Sequence, residues 1–240
     1  GADWRLRSFT PAGVEVFGTG GHNTLGPWWW LADRGRITLK DPLTVLHQQV
    51  GDRVLPVTIG YAHGRPSHVE MEQDSPVAGA ICEDLTSFAA SLGLDVSDLA
   101  VDRVPCQVMS TGVAHLLVPI RHRESVDRIR PNAAALFAVL DSVKAEGCYV
   151  FSLDSRHPEA LAYTRFFNPT VGISEDPATG TAAGPLAAHL VTHRLAERGR
   201  IRVEQGTASG RPSIIDVDVS AGAVKISARA VIVASGRLTL

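Results

Sequence analysis

The sequence predicts an α+β protein built as two similar half-domains, each a mixed sheet rolled around one central helix. Three observations predict it. Short β-rich runs recur with turn residues between them and only a few helical patterns interrupt them, the order of an α+β chain rather than of a doubly wound parallel sheet. Near the end, residues 214–219, 224–228 and 231–233 follow one another across glycine-containing turns, as a meander of antiparallel strands does. Third, two glycine-rich helix starts echo each other: Gly20-Gly21-His22-Asn23-Thr24-Leu25-Gly26-Pro27 and Thr179-Gly180-Thr181-Ala182-Ala183-Gly184-Pro185, with Gly-Pro at the same place in each.

In chain order, residues 4–9 read as a strand, and a short helix is expected over 23–33. Strands are expected over 36–39, 54–59 and 68–71, and a helix over 85–92 follows the acidic Glu83 and Asp84. A strand over 115–120, a helix over 132–146 opened by Pro131, and a strand over 148–151 come next. A long helix spans 179–197 before the final meander. A proline a few residues inside each glycine-rich start is tolerated where first-turn N–H groups lack intrahelical acceptors. Both helices are apolar on nearly every face, so each is expected to be surrounded by other structure. The halves are placed at 1–103, holding the GGHNTLG start, and 104–240, holding EDPATGTA, with the last strand free to return to the first half.

Of 240 residues, 45% are hydrophobic and 20% charged, and 23 basic against 25 acidic side chains give a net charge of −2. A chain so balanced, with its cations scattered, has no broad footprint for nucleic acid. No uncharged apolar run reaches the roughly 18–20 residues of a membrane span, and the start has no signal-peptide core, so a cytoplasmic protein is expected. The three cysteines, Cys82, Cys106 and Cys148, fit neither a disulfide framework nor a CxxC motif and are expected to be reduced and buried. There is no HExxH. His63 and His68 lack neighbouring ligands, and His189 and His193 lack a carboxylate partner, so no metal is expected.

A helix N-terminus offers free N–H groups and the positive end of a dipole, and glycine lets a carboxylate or phosphate approach them. If the halves face each other, both starts can point into one cleft, with His22 on the first turn and Asp176 before the second as an acid/base pair. The competing reading is capping alone: Asn23, Thr24 and Thr181 satisfying N–H groups, and Asp176 holding a turn before Pro177. On the residues alone both readings stay open. At consecutive helical positions Trp28, Trp29 and Trp30 point about 100° apart, so at least two are expected to pack in the core. His115 reads as a satisfied core or interface histidine, and the charged stretch 121–130 as a solvated face.

The run Gly172-Ile173-Ser174-Glu175-Asp176-Pro177-Ala178-Thr179-Gly180-Thr181-Ala182 resembles the EDPATGSA signature of the phenazine-biosynthesis (PhzF-like) isomerase family, and Gly21-His22-Asn23-Thr24-Leu25-Gly26 resembles its GHPTLG. Arg5 to Pro11 resembles the family's RLRxFTP strand, Leu117-Val118-Pro119 its LVP strand, Arg165 to Pro169 its RxFxP lead-in and Gly210-Arg211-Pro212-Ser213 its GRPS turn. The resemblance implies the fold of diaminopimelate epimerase, with two pseudo-symmetric domains. It places His22 and Asp176 at catalytic positions and Gly21, Asn23, Thr24, Gly180 and Thr181 at substrate-binding ones. It implies chemistry without cofactor or metal on a small unsaturated or amino-acid-derived carboxylate, in bacterial biosynthesis and secondary metabolism, by a homodimer.

Two departures stand out. Thr181 replaces the family's commoner serine, and Gly18-Thr19-Gly20 lengthens the approach to His22. The family's principal acid/base glutamate lies in an LSET-like segment upstream of the RLRxFTP strand. The 240 residues contain no such segment, so the first domain is expected to be incomplete at its N-terminus, with an open sheet edge. Glu15 is the nearest stand-in. Neither helix start carries a cysteine, which argues against the two-thiol mechanism of the epimerase branch. The alternatives to an isomerase are a noncatalytic ligand-binding homologue and a lyase or hydrolase using the same carboxylate cradle.

Overall fold

In the computed structural model, which describes residues 1–9, 13, 15–16, 21–220 and 222–236, contacts divide the chain into two units: Gly1–Glu72 with Ser227–Leu240, and Gln73–Ile226. The first unit runs β1 (Trp4–Arg5), β2 (Ser8–Phe9), β3 (Glu15–Val16), α1 (His22–Asp33), β4 (Leu43–Val50), β5 (Arg53–Ala62) and β6 (Arg65–Glu72). Its strands lie in the order β1-β4-β5-β6, with β1 parallel to β4 and the rest antiparallel, while β2 and β3 form a separate ribbon. β5 turns into β6 through His63 and Gly64, both at positive φ, the geometry that lets a two-residue loop follow the strand twist. α1 packs on β5 and β6 and buries one face, Leu25, Trp28, Leu31 and Ala32, in a unit whose sheet buries Val57, Ile59, Val69 and Met71. The fully buried Trp28 satisfies its indole by donating Nε1–H to Gln48 Oε1 at 2.7 Å.

The second unit runs β7 (Val77–Ile81), α2 (Leu85–Ser91), β8 (Gln107–Ser110), β9 (Ala114–Pro119), α3 (Arg123–Arg128), α4 (Ala133–Val143), β10 (Gly147–Ser152), β11 (Ala162–Asn168), β12 (Ile173–Asp176), α5 (Gly180–Thr192), β13 (Gly199–Gln205), β14 (Ser213–Ser220) and, through Ile226, most of β15 (Ala223–Ala228). The strand order is β15-β14-β13-β11-β10-β9-β8-β7, with β12 added on β11. Two neighbouring pairs are parallel, β9 with β10 and β11 with β13. A parallel pair needs a crossover, and α3 with α4 supplies the first and α5 the second. α2 and α4 close one face of this unit over Phe88, Leu92, Leu116, Val118, Leu136, Leu140, Val150 and Phe167. α5 packs on β8, β9 and β14 and is buried at Gly180 and from Ala182 through Leu190, as expected for a helix wrapped by a sheet. The fold is α+β with mixed sheets and few helices.

Several expectations are corrected. Residues 36–39 form no strand; at the end of α1 Gly35 adopts positive φ and Arg36 N donates to Leu31 O, which takes the first of them out of any ladder. Residues 231–233 have no ladder and stand exposed. α4 stops at Val143 because Lys144 turns left-handed, and α5 stops at Thr192. The stretch 121–130 contains α3, which buries Ser125 and Val126. Only Trp28 of the three tryptophans is fully buried, while Trp30 is exposed, because α1 covers the sheet with a single face. Pro27 and Pro185 lie in the second turn of their helices, so each removes the N–H that the carbonyl of Asn23 or Thr181 would otherwise receive. Apart from these corrections, the contact units divide at Glu72/Gln73, with β7 paired to β8 in the second. Gly18-Thr19-Gly20 and Thr10-Pro11 lie outside the described residues.

Candidate active site

The two glycine-rich segments both open helices, each within its own unit. In the first, Gly21 is the extended N-cap of α1 and makes no side-chain cap. Its carbonyl accepts from Thr24 N at 2.9 Å and Leu25 N at 3.2 Å, so the amides of His22 and Asn23 have no acceptor among the described residues. The His22 side chain is exposed, Asn23 is half-buried, and Gly21 and Thr24 are buried. Glu15 forms a two-pronged ion pair with Arg7, 3.0 and 2.7 Å, and the Arg7 hydrogen bond holds its carboxyl below the ordinary value. A carboxylate held that way is a weaker base, which counts against Glu15 in the role of the family's upstream glutamate.

The second start is more fully built. Asp176 ends β12, paired with Phe166, and Pro177 and Ala178 turn the chain into Thr179, the N-cap of α5. Thr179 does not cap the helix. Its hydroxyl donates to Asp176 Oδ2 at 2.6 Å, leaving Asp176 Oδ1 without a partner among the described residues. The carbonyl of Thr179 accepts from the amides of Ala182 and Ala183, and the amides of Gly180 and Thr181 have no acceptor among the described residues. Two open N–H groups, the positive end of a helix and one free carboxylate oxygen therefore meet within a few residues.

What holds this turn is not apparent from the sequence. Gln205, fully buried at the end of β13, accepts at Oε1 from Thr179 N (3.1 Å) and from the Tyr149 hydroxyl (2.9 Å). Its Nε2 donates to Asp176 O (2.7 Å) and Thr179 Oγ1 (2.9 Å). Thr164 Oγ1 lies 2.9 Å from the Tyr149 hydroxyl and 2.8 Å from Glu204 O. Every polar group of Gln205 is used, so the network stabilises one geometry of the Asp176–Thr179 turn. Burial pushes the Tyr149 hydroxyl well above its ordinary value, so it stays a proton donor. The Glu175 side chain, next to Asp176, is clamped by Arg165 through two bonds of 2.9 and 2.8 Å, and Arg165 also donates to the carbonyls of Val126 and Ile129 at the end of α3.

Behind Thr181 lies an aromatic layer. His115 Nε2 is 3.2 Å from Thr181 Oγ1, and the His115 ring meets Phe166 edge-on at 5.0 Å, with Tyr149 on Phe166 at 6.1 Å. Burial drives the His115 pKa down to about 3, so the imidazole is neutral. Gln73 donates to Gly180 O at 3.1 Å and accepts from Thr111 at 2.9 Å, pinning the first turn of α5. The only local sign of these supports is the alternation of polar with apolar residues in the strand ending at Gln205 and the single polar His115 in the apolar run of β9.

Among the described residues no group of three or more His, Cys, Asp or Glu side chains could hold a metal, and no helix is long and apolar enough to cross a membrane. The His189 and His193 rings meet edge to face with centroids 4.5 Å apart, and they belong to no such group. The three cysteines are buried free thiols, as expected.

A family model described as phenazine biosynthesis-like protein (PhzC-PhzF) matches residues 1–236. An uncharacterized isomerase of Clostridium acetobutylicum is 32% identical over 206 residues, 81% of this chain and 68% of that protein. A trans-2,3-dihydro-3-hydroxyanthranilate isomerase of Pseudomonas aeruginosa is 32% identical over 227 residues, 94% of this chain and 74% of that protein. The crystal structure of a Bacillus anthracis phenazine biosynthesis protein of the PhzF family superposes with a TM-score of 0.82 at 27% identity, covering 93% of this chain and 76% of that one.

Proposed function

Because the chain belongs to the phenazine biosynthesis-like family, whose relatives are isomerases, we propose that it is a cofactor-independent isomerase that moves a proton between carbons of a small unsaturated or amino-acid-derived carboxylate. The observation that carries this reading is the start of α5, where uncapped amides at Gly180 and Thr181 adjoin a carboxylate, Asp176, with one oxygen unengaged among the described residues. The amides and the Thr181 hydroxyl hold the substrate carboxylate. Removing a proton from the neighbouring carbon places negative charge on that carboxylate, and fixed donors stabilise the charge as it develops. Asp176 Oδ1 handles the proton. His22 takes the second polar role, with Gly21, Asn23 and Thr24 binding substrate around it. The setting is a cytoplasmic homodimer in bacterial secondary metabolism.

The test starts from trans-2,3-dihydro-3-hydroxyanthranilate and related unsaturated carboxylates in D2O. Turnover should carry solvent deuterium into the product. Asp176→Asn, which keeps an acceptor for Thr179, should lose about 100-fold or more in kcat, and His22→Ala should also slow turnover. Unchanged turnover in both variants would sink the assignment. A carboxylate that binds and raises Tm but is recovered chemically unchanged would identify a binding protein instead.

A further inference from the structure

We propose that His115 is a positioning residue: its Nε2–H donates to Thr181 Oγ1 and so commits the Thr181 hydroxyl proton to an atom that can only accept, an ionised carboxylate oxygen of the bound molecule. The proposal rests on the reading of the start of α5 as the substrate cradle and adds how its hydroxyl is oriented.

The argument is one of proton accounting in a buried place. His115 is 2% exposed, and Nδ1 has no hydrogen-bond partner among the described residues. Its surroundings explain why: a Cβ added at Gly147 would come within 3.2 Å of Nδ1 and 2.4 Å of the Phe166 ring, so Nδ1 faces the bare Gly147 backbone beside an aromatic edge. A neutral imidazole carries one N–H. Placed on Nδ1, that hydrogen would be a buried donor with nothing to receive it, an arrangement folded proteins almost never keep, whereas an unshared lone pair there is the smaller penalty. The hydrogen therefore sits on Nε2, and Thr181 Oγ1 receives it.

Thr181 still has a proton of its own to place. Thr192, near the other end of α5, returns its hydroxyl to Ala188 O at 2.9 Å, the usual solution for a helical threonine. Thr181 is in the first turn with no helical carbonyl behind it, and its hydroxyl reaches no other acceptor among the described residues. The donor so released lies beside the open amides of Gly180 and Thr181, so all three present hydrogens and none a lone pair. A ligand amine or a second hydroxyl proton meets no acceptor on these three groups, and Asp176 Oδ1 is the neighbouring acceptor left for one.

The experiment joins one spectrum to one double-mutant cycle. Long-range 1H–15N spectra of protein labelled at histidine, with the His115 signals assigned by their loss in His115→Gln, should show the Nε2–H tautomer. Anthranilate binding should weaken roughly ten-fold in Thr181→Val. It should weaken comparably in His115→Leu and no further in the double variant, while His115→Gln, whose amide can donate to Thr181, should recover much of the loss. Near-UV circular dichroism confirms that each variant is folded, and the wild-type spectrum stands whether or not His115→Leu folds. An Nδ1–H tautomer overturns the positioning role alone, as does full additivity of the two substitutions. Unchanged anthranilate binding in Thr181→Val overturns the cradle reading and the proposal with it.

Discussion

Gln205 holds Thr179 twice: its Oε1 accepts the Thr179 amide at 3.1 Å and its Nε2 donates to the Thr179 hydroxyl at 2.9 Å. The end of β13 thus fixes the residue that opens α5, and through the Thr179 hydroxyl it fixes the Asp176 carboxylate. One buried amide sets the position of the proposed proton-handling group without touching it.

Gln205→Leu should therefore destabilise the protein by about 3 kcal/mol or more, because it strands the Thr179 amide, the Tyr149 hydroxyl and the Asp176 carbonyl, each buried unsatisfied group costing about 1–3 kcal/mol. Urea denaturation should show a lower midpoint with an unchanged m value. Gln205→Glu should do no better, since a carboxylate has no hydrogen to give to Asp176 O.

Gly206 comes next in the chain, at φ +83°, and a Cβ there would stand 2.2 Å from Arg211 O and 2.6 Å from Pro177 O. Both neighbours are backbone and cannot swing aside. Gly206→Ala should cost more than about 2 kcal/mol from left-handed strain and overlap together, and should displace the Pro177 turn. Thermal unfolding reads the first effect, and the kcat of the folded fraction the second.

The buried histidines give stability a defined pH dependence. Burial lowers His115 to about 3 and His189 to about 4, in the latter with a smaller push from His193, against an ordinary value of 6.5 for each. Between those values and about 6.5 the unfolded chain binds protons that the folded chain refuses, so stability is intact above about 6.5 and falls as the pH drops. Each group contributes a slope of up to about 1.4 kcal/mol per pH unit. Denaturation curves between pH 7 and pH 4 should show that decline, and His115→Gln should flatten it by one group's share.

The Arg165–Glu175 pair is largely removed from water, with Arg165 also stacked on Phe167 at 4.9 Å. Arg165→Met should cost about 3–5 kcal/mol, as breaking one side of a buried pair does. Arg165→Lys should recover little, because an ammonium cannot span two carboxylate oxygens and the Val126 and Ile129 carbonyls together. A cycle with Glu175→Gln, followed by denaturation, measures the coupling.

These supports also mark where local sequence stops being informative. β5, β10 and β14 are legible because valine, isoleucine and aromatic residues are frequent in them, β9 because Leu116, Leu117 and Val118 run together, β6 and β15 because Val69 with Met71 and Val224 with Ile226 alternate with polar residues, and both glycine-rich helix starts because Gly, Thr and Pro act on their own backbone. β4 is not. It buries Thr44 and Gln48, polar residues that read as loop until Trp28 and the Lys40 backbone supply their partners. β11 hides in the same way behind Thr164, Arg165 and Asn168, all buried. At the candidate site Asp176 and Thr181 stand out by motif. Gln205 and Tyr149 do not, since the bonds that give them a role span 26 and 56 residues and no nearby spacing encodes them.

The three thiols also make the second unit a reporter of its own opening. Cys82, Cys106 and Cys148 are buried, and desolvation raises all three, Cys106 to about 12, so none is appreciably thiolate in the folded state. An alkylating reagent can modify them only in molecules that have opened, and labelling then follows the opening equilibrium when closing outpaces the reagent and the opening rate when it does not. The mass of the labelled chain over time therefore counts excursions of the α2–α4 face through its native thiols, with no residue replaced.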